Sequence, residues 1–149
     1  VGFVNRAVKA TYDTRAALHA GDGKVVIEKH TRALVRYLLF ADEVTLPNGG
    51  IGGDALYKKD FAKRAHRTKA GQSLRDFDLR TRLFKHRCSY MIHSAAFAGL
   101  PPALKQRVFA QLRTALDGAR LNPDYAFIPP AEKKAIVRIL TETVEGFSQ

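Results

Sequence analysis

The chain has 149 residues, of which 46% are hydrophobic and 26% are charged, as is typical of a globular protein. The length favours one domain over residues 1–149, and no apolar run approaches the roughly 20 residues that a membrane-spanning helix needs. A single cysteine, Cys88, excludes an internal disulfide framework but does not fix the compartment. The net charge of +11 favours polyanions or acidic surfaces as partners.

Apolar periodicity predicts two helices at the start of the chain. The residues that would line the inner face of the first helix are Val4, Ala7, Val8, Thr11 and Leu18. That pattern ends at residues 21–23, where two glycines flank an aspartate. The second helix is predicted from about Lys24 to Asp42. Its inner residues would be Ile27, Leu34, Leu38 and Ala41.

A loop and a basic helix follow. Residues 45–53 contain one proline and four glycines, which predicts a long loop. Asp54 is placed to accept hydrogen bonds from the free amides of a helix that starts at Ala55. That helix is predicted to continue to about Arg67 and to bury few side chains.

Residues 73–100 are predicted to form a central helix with Ser73 as its cap. Its apolar stripe would consist of Leu79, Leu83, Phe84, Cys88, Met91, Ile92 and Ala95. Its polar stripe would consist of Arg82, His86, Ser89 and His93, spaced i, i+4, i+7 and i+11. The sequence 99–102 contains one glycine and two prolines, which predicts the end of this helix.

Two further helices are predicted in the last third of the chain. One starts at Pro101-Pro102, with Gly118 as a left-handed cap at its end, and one starts at Pro129-Pro130. A second long loop, 120–127, separates them. The inner residues would be Leu104, Val108, Leu112, Ala115 and Leu116 in the first, and Ile136, Ile139, Leu140 and Thr143 in the second. The sequence thus predicts an all-α fold, an irregular bundle of five or six helices with two long loops.

The polar stripe suggests a proton-relay or cofactor-facing surface, although a hydrated or hydrogen-bonded structural face is the simpler explanation. On one helix His86 and His93 would lie about 10.5 Å apart along the axis, too far to bind one metal ion. No metal site is therefore predicted. Cys88 lies two residues from His86, on another side of a helix, so it lacks a base and we expect it in the core. No set of residues matches a known catalytic arrangement.

The strongest functional signal is a basic tract between Lys58 and Arg87, which contains eleven basic residues and only three acidic ones. We define the predicted basic face by nine of them, Lys58, Lys59, Lys63, Arg64, Arg67, Arg80, Arg82, Lys85 and Arg87. Such a face would dock on an acidic protein surface or contact the phosphates of a nucleic acid. No helix-turn-helix spacing or RNA-binding aromatic motif accompanies it.

A family resemblance rests on two stretches of the sequence, VRYLLFADE (35–43) and DFDLRTRLFKHRCSYMIHSAAFAGL (76–100). Both resemble the C-terminal portion of larger secreted bacterial proteins of uncharacterised function. Some of those proteins are associated with c-type cytochrome domains. The resemblance implies export to the periplasm or cell surface. It assigns no catalytic residue, and the C-x-x-C-H motif for covalent haem attachment is absent.

Three hypotheses follow. The first is a non-catalytic accessory module of a larger exported protein or complex, docking through the basic face on an acidic partner or on the parent polypeptide. The start at Val1 rather than Met agrees with a processed or longer polypeptide. The second is a nucleic-acid-binding protein that uses the same residues. The third is an electron-transfer subunit that holds no cofactor itself but contacts haem through His86, Met91 or His93. A cytoplasmic location stays open.

Overall fold

The computed structural model describes residues 2–43, 54–120 and 122–148. Within these ranges the fold is all-α, as predicted. The helices there are α1 (Gly2–Ala20), α2 (Gly23–Leu38), α3 (Ala55–Lys63), α4 (Ala95–Ala98), α5 (Pro102–Ala115) and α6 (Pro130–Thr143). Single 3₁₀ turns cover Tyr90–His93 and Pro123–Tyr125. The predicted loop 45–53 lies outside the described residues.

Helix α2 packs against both α1 and α5. Its predicted inner residues Ile27, Leu34 and Leu38 are buried, whereas Ala41 lies beyond the end of the helix. Glu28 of α2 also pairs with Arg107 of α5 at 2.7 Å. The core of the protein contains large aliphatic and aromatic side chains, among them Phe3, Leu34, Leu38, Leu104, Val108, Phe109, Leu112, Ile136, Ile139 and Phe147.

The inner face predicted for α1 was wrong. The structure buries Phe3, Ala7, Ala10, Thr14 and Ala17. Val4, Val8 and Leu18 are exposed instead, and of the predicted set only Ala7 is buried. The small side chains on the buried face allow the backbone of α1 to approach α2 closely, and this fit outweighs the burial of two valines and a leucine.

Local chemistry at the helix starts behaves as predicted. The Asp54 carboxylate accepts from the N–H groups of Leu56 (2.7 Å) and Tyr57 (3.2 Å), which caps α3. Pro102 and Pro130 occupy the first positions of α5 and α6, where a missing N–H costs no helix hydrogen bond. Gly118 is not the cap of α5, because it does not adopt a left-handed conformation and the helix already ends at Ala115.

The predicted central helix does not form before Tyr90. Residues 77–84 make a tight turn in which Phe77 and Phe84 form an antiparallel bridge. The Leu79 N–H donates to the Arg82 carbonyl (2.8 Å), and Leu79 has a left-handed φ of 59°. Only Tyr90–His93 and Ala95–Ala98 of the segment are helical. The residues of the predicted apolar stripe instead separate, because Phe84 packs on Phe77 across the turn whereas Cys88 and Ile92 lie in the core.

Candidate functional site

The polar stripe does not exist as one surface, because its residues are not on one helix. Arg82 lies in the 77–84 turn and His86 is buried beyond it. The Ser89 hydroxyl accepts from the Met91 N–H (3.2 Å) and caps the 3₁₀ turn. His93 ends that turn and bonds to α6. The structure therefore gives these residues four separate environments.

His86 is 4% exposed, and its Nε2 has no hydrogen-bond partner among the described residues. Burial lowers the pKa of its imidazole, and the charge of Asp76 opposes that shift only in part. His86 is consequently neutral at physiological pH.

Arg82 and Arg87 converge on one carboxylate, that of Glu132 in the first turn of α6. Arg82 Nη2 donates a hydrogen bond to the Lys85 carbonyl (2.7 Å) and forms an ion pair with Glu132 Oε1 at 3.0 Å. The Arg87 backbone N–H donates to the same oxygen at 2.9 Å, and its guanidinium donates to Oε2. The Glu132 side chain is only 11% exposed. We call Arg82 and Arg87 the arginine pair; the carboxylate holds both guanidiniums in fixed positions.

A cavity of about 520 Å³ lies beside the arginine pair. The residues that line it are Phe40, Ala41, Glu43, Thr81, Arg82, Arg87 and Phe127. Glu43 is exposed at its edge. Partial desolvation at the cavity edge raises the pKa of the Glu43 carboxyl group, and the charges of Arg82 and Arg87 oppose this rise. Glu43 and Glu132 were not singled out as site residues from the sequence, because nothing in their spacing relates them to Arg82.

An aromatic cluster attaches α3 to the body of the protein. The Phe61 ring lies 5.1 Å from Phe77, 6.0 Å from Phe84 and 5.2 Å from Tyr90, centroid to centroid. The Arg75 guanidinium lies 4.3 Å from the Phe61 centroid and 4.4 Å from that of Tyr90. Such cation–π contacts orient the cation and stabilise the stack. Arg75 therefore has a structural role within the basic tract.

The remainder of α3 faces outward. None of its nine residues is buried, and Leu56 and Tyr57 are 79% and 66% exposed. Because Phe61 points inward, helical spacing puts Leu56, Lys59 and Lys63 on the opposite side. We call these three residues the outer face of α3. Lys59 and Lys63 form no ion pair within the described parts of the chain.

The other members of the predicted basic face have varied surroundings. Arg64 is 3.9 Å from Asp60, and Arg67 pairs with Asp76 at 3.1 Å. Lys58 is half-buried, whereas Arg80 and Lys85 are exposed. Helix α3 packs on the 77–84 turn through Phe61, so the exposed basic side chains of the helix and those of the turn lie on neighbouring elements. Arg82 and Arg87 are directed to Glu132 instead.

His66 and His93 form a second polar site. Their rings stack with centroids 4.3 Å apart. The Thr143 hydroxyl donates to the Ile139 carbonyl (2.6 Å), so its oxygen accepts from Nε2–H of His93 (2.9 Å). Burial, with a smaller effect of His66, lowers the pKa of His93 to about 4. This pair links the segment after α3 to the end of α6.

Cys88 is fully buried, as predicted, and burial raises the pKa of its thiol to about 12. A thiol in this environment is protonated and inaccessible at neutral pH. Within the described ranges, no three His, Cys, Asp or Glu side chains lie close enough together to hold a metal ion. Haem contact through His86, Met91 or His93 stays a prediction.

In the same ranges no helix combines the length and apolar character needed to cross a membrane. No protein-family model matches the chain, and neither the curated proteins nor the solved structures contain a significant match.

Proposed function

We propose that this chain is a non-catalytic helical interaction module that docks on an acidic protein surface through the outer face of α3. The exposure of α3 carries the proposal. A short amphipathic helix that leaves Leu56 79% exposed gains apolar burial when a partner covers it.

The charge of the outer face favours an acidic partner. Lys59 and Lys63 are exposed and have no carboxylate partner in the described residues. Exposed lysines attract an acidic surface over a distance and accelerate association. Leu56 lies beside them and supplies an apolar contact that a purely electrostatic interaction would not need. The partner should therefore present acidic residues around an apolar patch.

The shape of α3 is established before any partner binds. The Asp54 cap fixes its start, and Phe61 with Arg75 fixes its position on the body. An isolated helix of nine residues would be mostly unfolded in water. Since the protein orders α3 in advance, docking does not have to supply that ordering free energy.

The resemblance to exported bacterial proteins supports a partner in the periplasm or at the cell surface. On this proposal the partner is an acidic face of a larger exported protein or complex, which includes the parent polypeptide itself. Nucleic acid is the alternative ligand for the same lysines, and the experiment separates the two.

The test uses a fluorescently labelled amphipathic peptide with leucine and glutamate at helical spacing, titrated with the protein at low ionic strength. We expect K59E/K63E to weaken binding by about tenfold, because both charges are reversed on the contact face. L56A should weaken binding by about threefold through lost apolar contact.

The matched control is K134E/R138E, which makes the same charge change at the same i, i+4 spacing on α6. Lys134 and Arg138 are also exposed. Equal loss of binding in both double variants would reject α3 as the docking site. Tighter binding of duplex DNA than of the peptide, with a steep log–log dependence on salt, would replace the proposal by nucleic-acid binding.

A further inference from the structure

The arginine pair has fewer direct acceptors than donors. Two guanidiniums share the single carboxylate of Glu132. Nη1 of Arg82 is buried and has no acceptor among the described residues. A buried donor without an acceptor is unfavourable, and a partly desolvated guanidinium that lacks a full counter-charge is more so. A ligand carboxylate in the adjoining cavity would give the two guanidiniums a further acceptor.

The cavity beside the pair offers a place for such a group. Its volume of about 520 Å³ is in the range of small-molecule sites. Phe40, Ala41 and Phe127 give it apolar walls, and the Phe127 ring remains 41% exposed. Apolar walls around a few fixed charged donors are the usual construction of a site for an organic ion.

We propose that this cavity binds a small monocarboxylate, with the carboxylate on the arginine pair and the apolar part of the ligand against Phe127 and Phe40. Arg–carboxylate pairs combine charge with matched hydrogen-bond geometry. Glu132 fixes the guanidiniums before the ligand arrives, which lowers the entropy lost on binding.

Glu43 limits the negative charge that a ligand of this cavity can carry. Only Glu132 contacts the arginine pair directly, while Glu43 lines the cavity without an ion pair to either guanidinium in the described residues, so a ligand carboxylate would compete with Glu43 for the arginine pair. A second carboxylate, that of Glu43, lines the same cavity and would repel a dianion such as phosphate. No residue of α3 lines the cavity, so this inference is independent of docking through α3.

The test is calorimetric titration of the intact protein with benzoate, benzamide and inorganic phosphate at low salt, with acetate for comparison. We expect saturable binding of benzoate, no binding of the neutral isostere benzamide, and weaker binding of phosphate. Absence of saturable benzoate binding, or equal binding of benzamide or phosphate, would overturn the proposal.

Variants then locate the site. R87Q should weaken benzoate binding by about tenfold or more, and E43Q should strengthen it by a few-fold because it removes the competing carboxylate. R138Q removes one positive charge from an exposed position of α6 that does not line the cavity, and it should have no effect.

R87Q disturbs the contact with Glu132, so a variant that leaves the arginine pair intact is also required. F127S removes a partly exposed wall residue. It should weaken benzoate binding while leaving acetate binding unchanged. If F127S leaves the benzoate affinity unaltered, or if E43Q fails to increase it, benzoate binds elsewhere and the proposal is wrong.

Discussion

At the scale of single residues, Glu132 connects more of the molecule than any other carboxylate in the described ranges. It joins the start of α6 to the 77–84 turn and to the segment after it, 45 residues away in sequence. Its position in the first turn of α6 also places a negative charge at the positive end of the helix dipole. Its loss leaves two guanidiniums without their counter-charge.

We therefore expect E132Q to lower the free energy of unfolding by about 2–4 kcal/mol, as is usual when one partner of a buried ion pair is removed. Glutamine keeps the shape and one acceptor, so the change isolates the charge. Chemical denaturation monitored by circular dichroism measures the effect.

The control is E28Q. Glu28 also pairs with an arginine across two elements, but its side chain is 44% exposed. Exposed pairs contribute about 0–1 kcal/mol, so E28Q should change stability little. Similar losses in the two variants would show that the Glu132 cluster is no more than a surface ion pair.

At the scale of elements, α3 depends on one side chain. It contributes no fully buried residue, and its contact with the body passes through Phe61 and the aromatic cluster. Helices with few buried contacts open locally before the whole protein unfolds. Removal of Phe61 should therefore affect α3 much more than the rest of the bundle.

F61A is expected to abolish the hydrogen-exchange protection of amides in α3 while α1, α2 and α5 keep theirs. L56A, which truncates an apolar residue on the outer side of the same helix, should leave α3 protected. Hydrogen exchange resolved by residue tests both. Global loss of protection in F61A would mean that the aromatic cluster stabilises the whole core.

The 77–84 turn provides a test of local backbone conformation. Leu79 adopts a left-handed φ of 59°, which costs an L-residue with a side chain roughly 1–2 kcal/mol. We expect L79G to keep stability within about 0.5 kcal/mol of the natural chain, because glycine relieves that strain and offsets the lost side chain.

Q106G is the comparison, since Gln106 is exposed within α5. Glycine there should cost about 1 kcal/mol, the usual penalty in a helix interior. Equal costs for L79G and Q106G would indicate that residue 79 is helical.

These elements also show what the sequence could predict. The starts of α3, α5 and α6 depend on Asp54, Pro102 and Pro130, whose effects are local, and they were predicted correctly. The turn at Leu79 was not predicted, because the left-handed position holds neither glycine nor asparagine and the apolar spacing fits a helix. The ion pairs of Glu132 could not be predicted either, because Arg82 and Glu132 are 50 residues apart in sequence and only the fold brings them together.

At the scale of the whole molecule, the buried His86 and the partly buried His93 make stability depend on pH. Burial lowers the pKa of both His86 and His93 in the folded state, that of His93 to about 4. Below the unfolded pKa near 6.5, the unfolded chain binds protons that the native state does not. Stability is therefore fully present above pH 6.5 and falls as the pH decreases towards 4.

H93Q should flatten this fall. We expect His93 to account for about 1–2 kcal/mol of the loss between pH 6.5 and 4, less than its full pKa shift implies, because the ring is only partly buried. Unfolding free energies at several pH values measure the slope. H19Q, at an exposed histidine of α1, should leave the slope unchanged. If H93Q leaves the pH dependence of the unfolding free energy unaltered, the pKa of His93 is not lowered in the native state.

The seclusion of Cys88 has a practical consequence for every measurement of this kind. Since the only sulfhydryl of the chain is inside the core, we expect the native protein to be inert towards maleimides. A cysteine introduced at an exposed position of α3 would then be the only residue that such reagents label. Dyes and spin probes could be attached at that one position without mutating Cys88. Modification of Cys88 itself would then report the rate at which the closed structure opens.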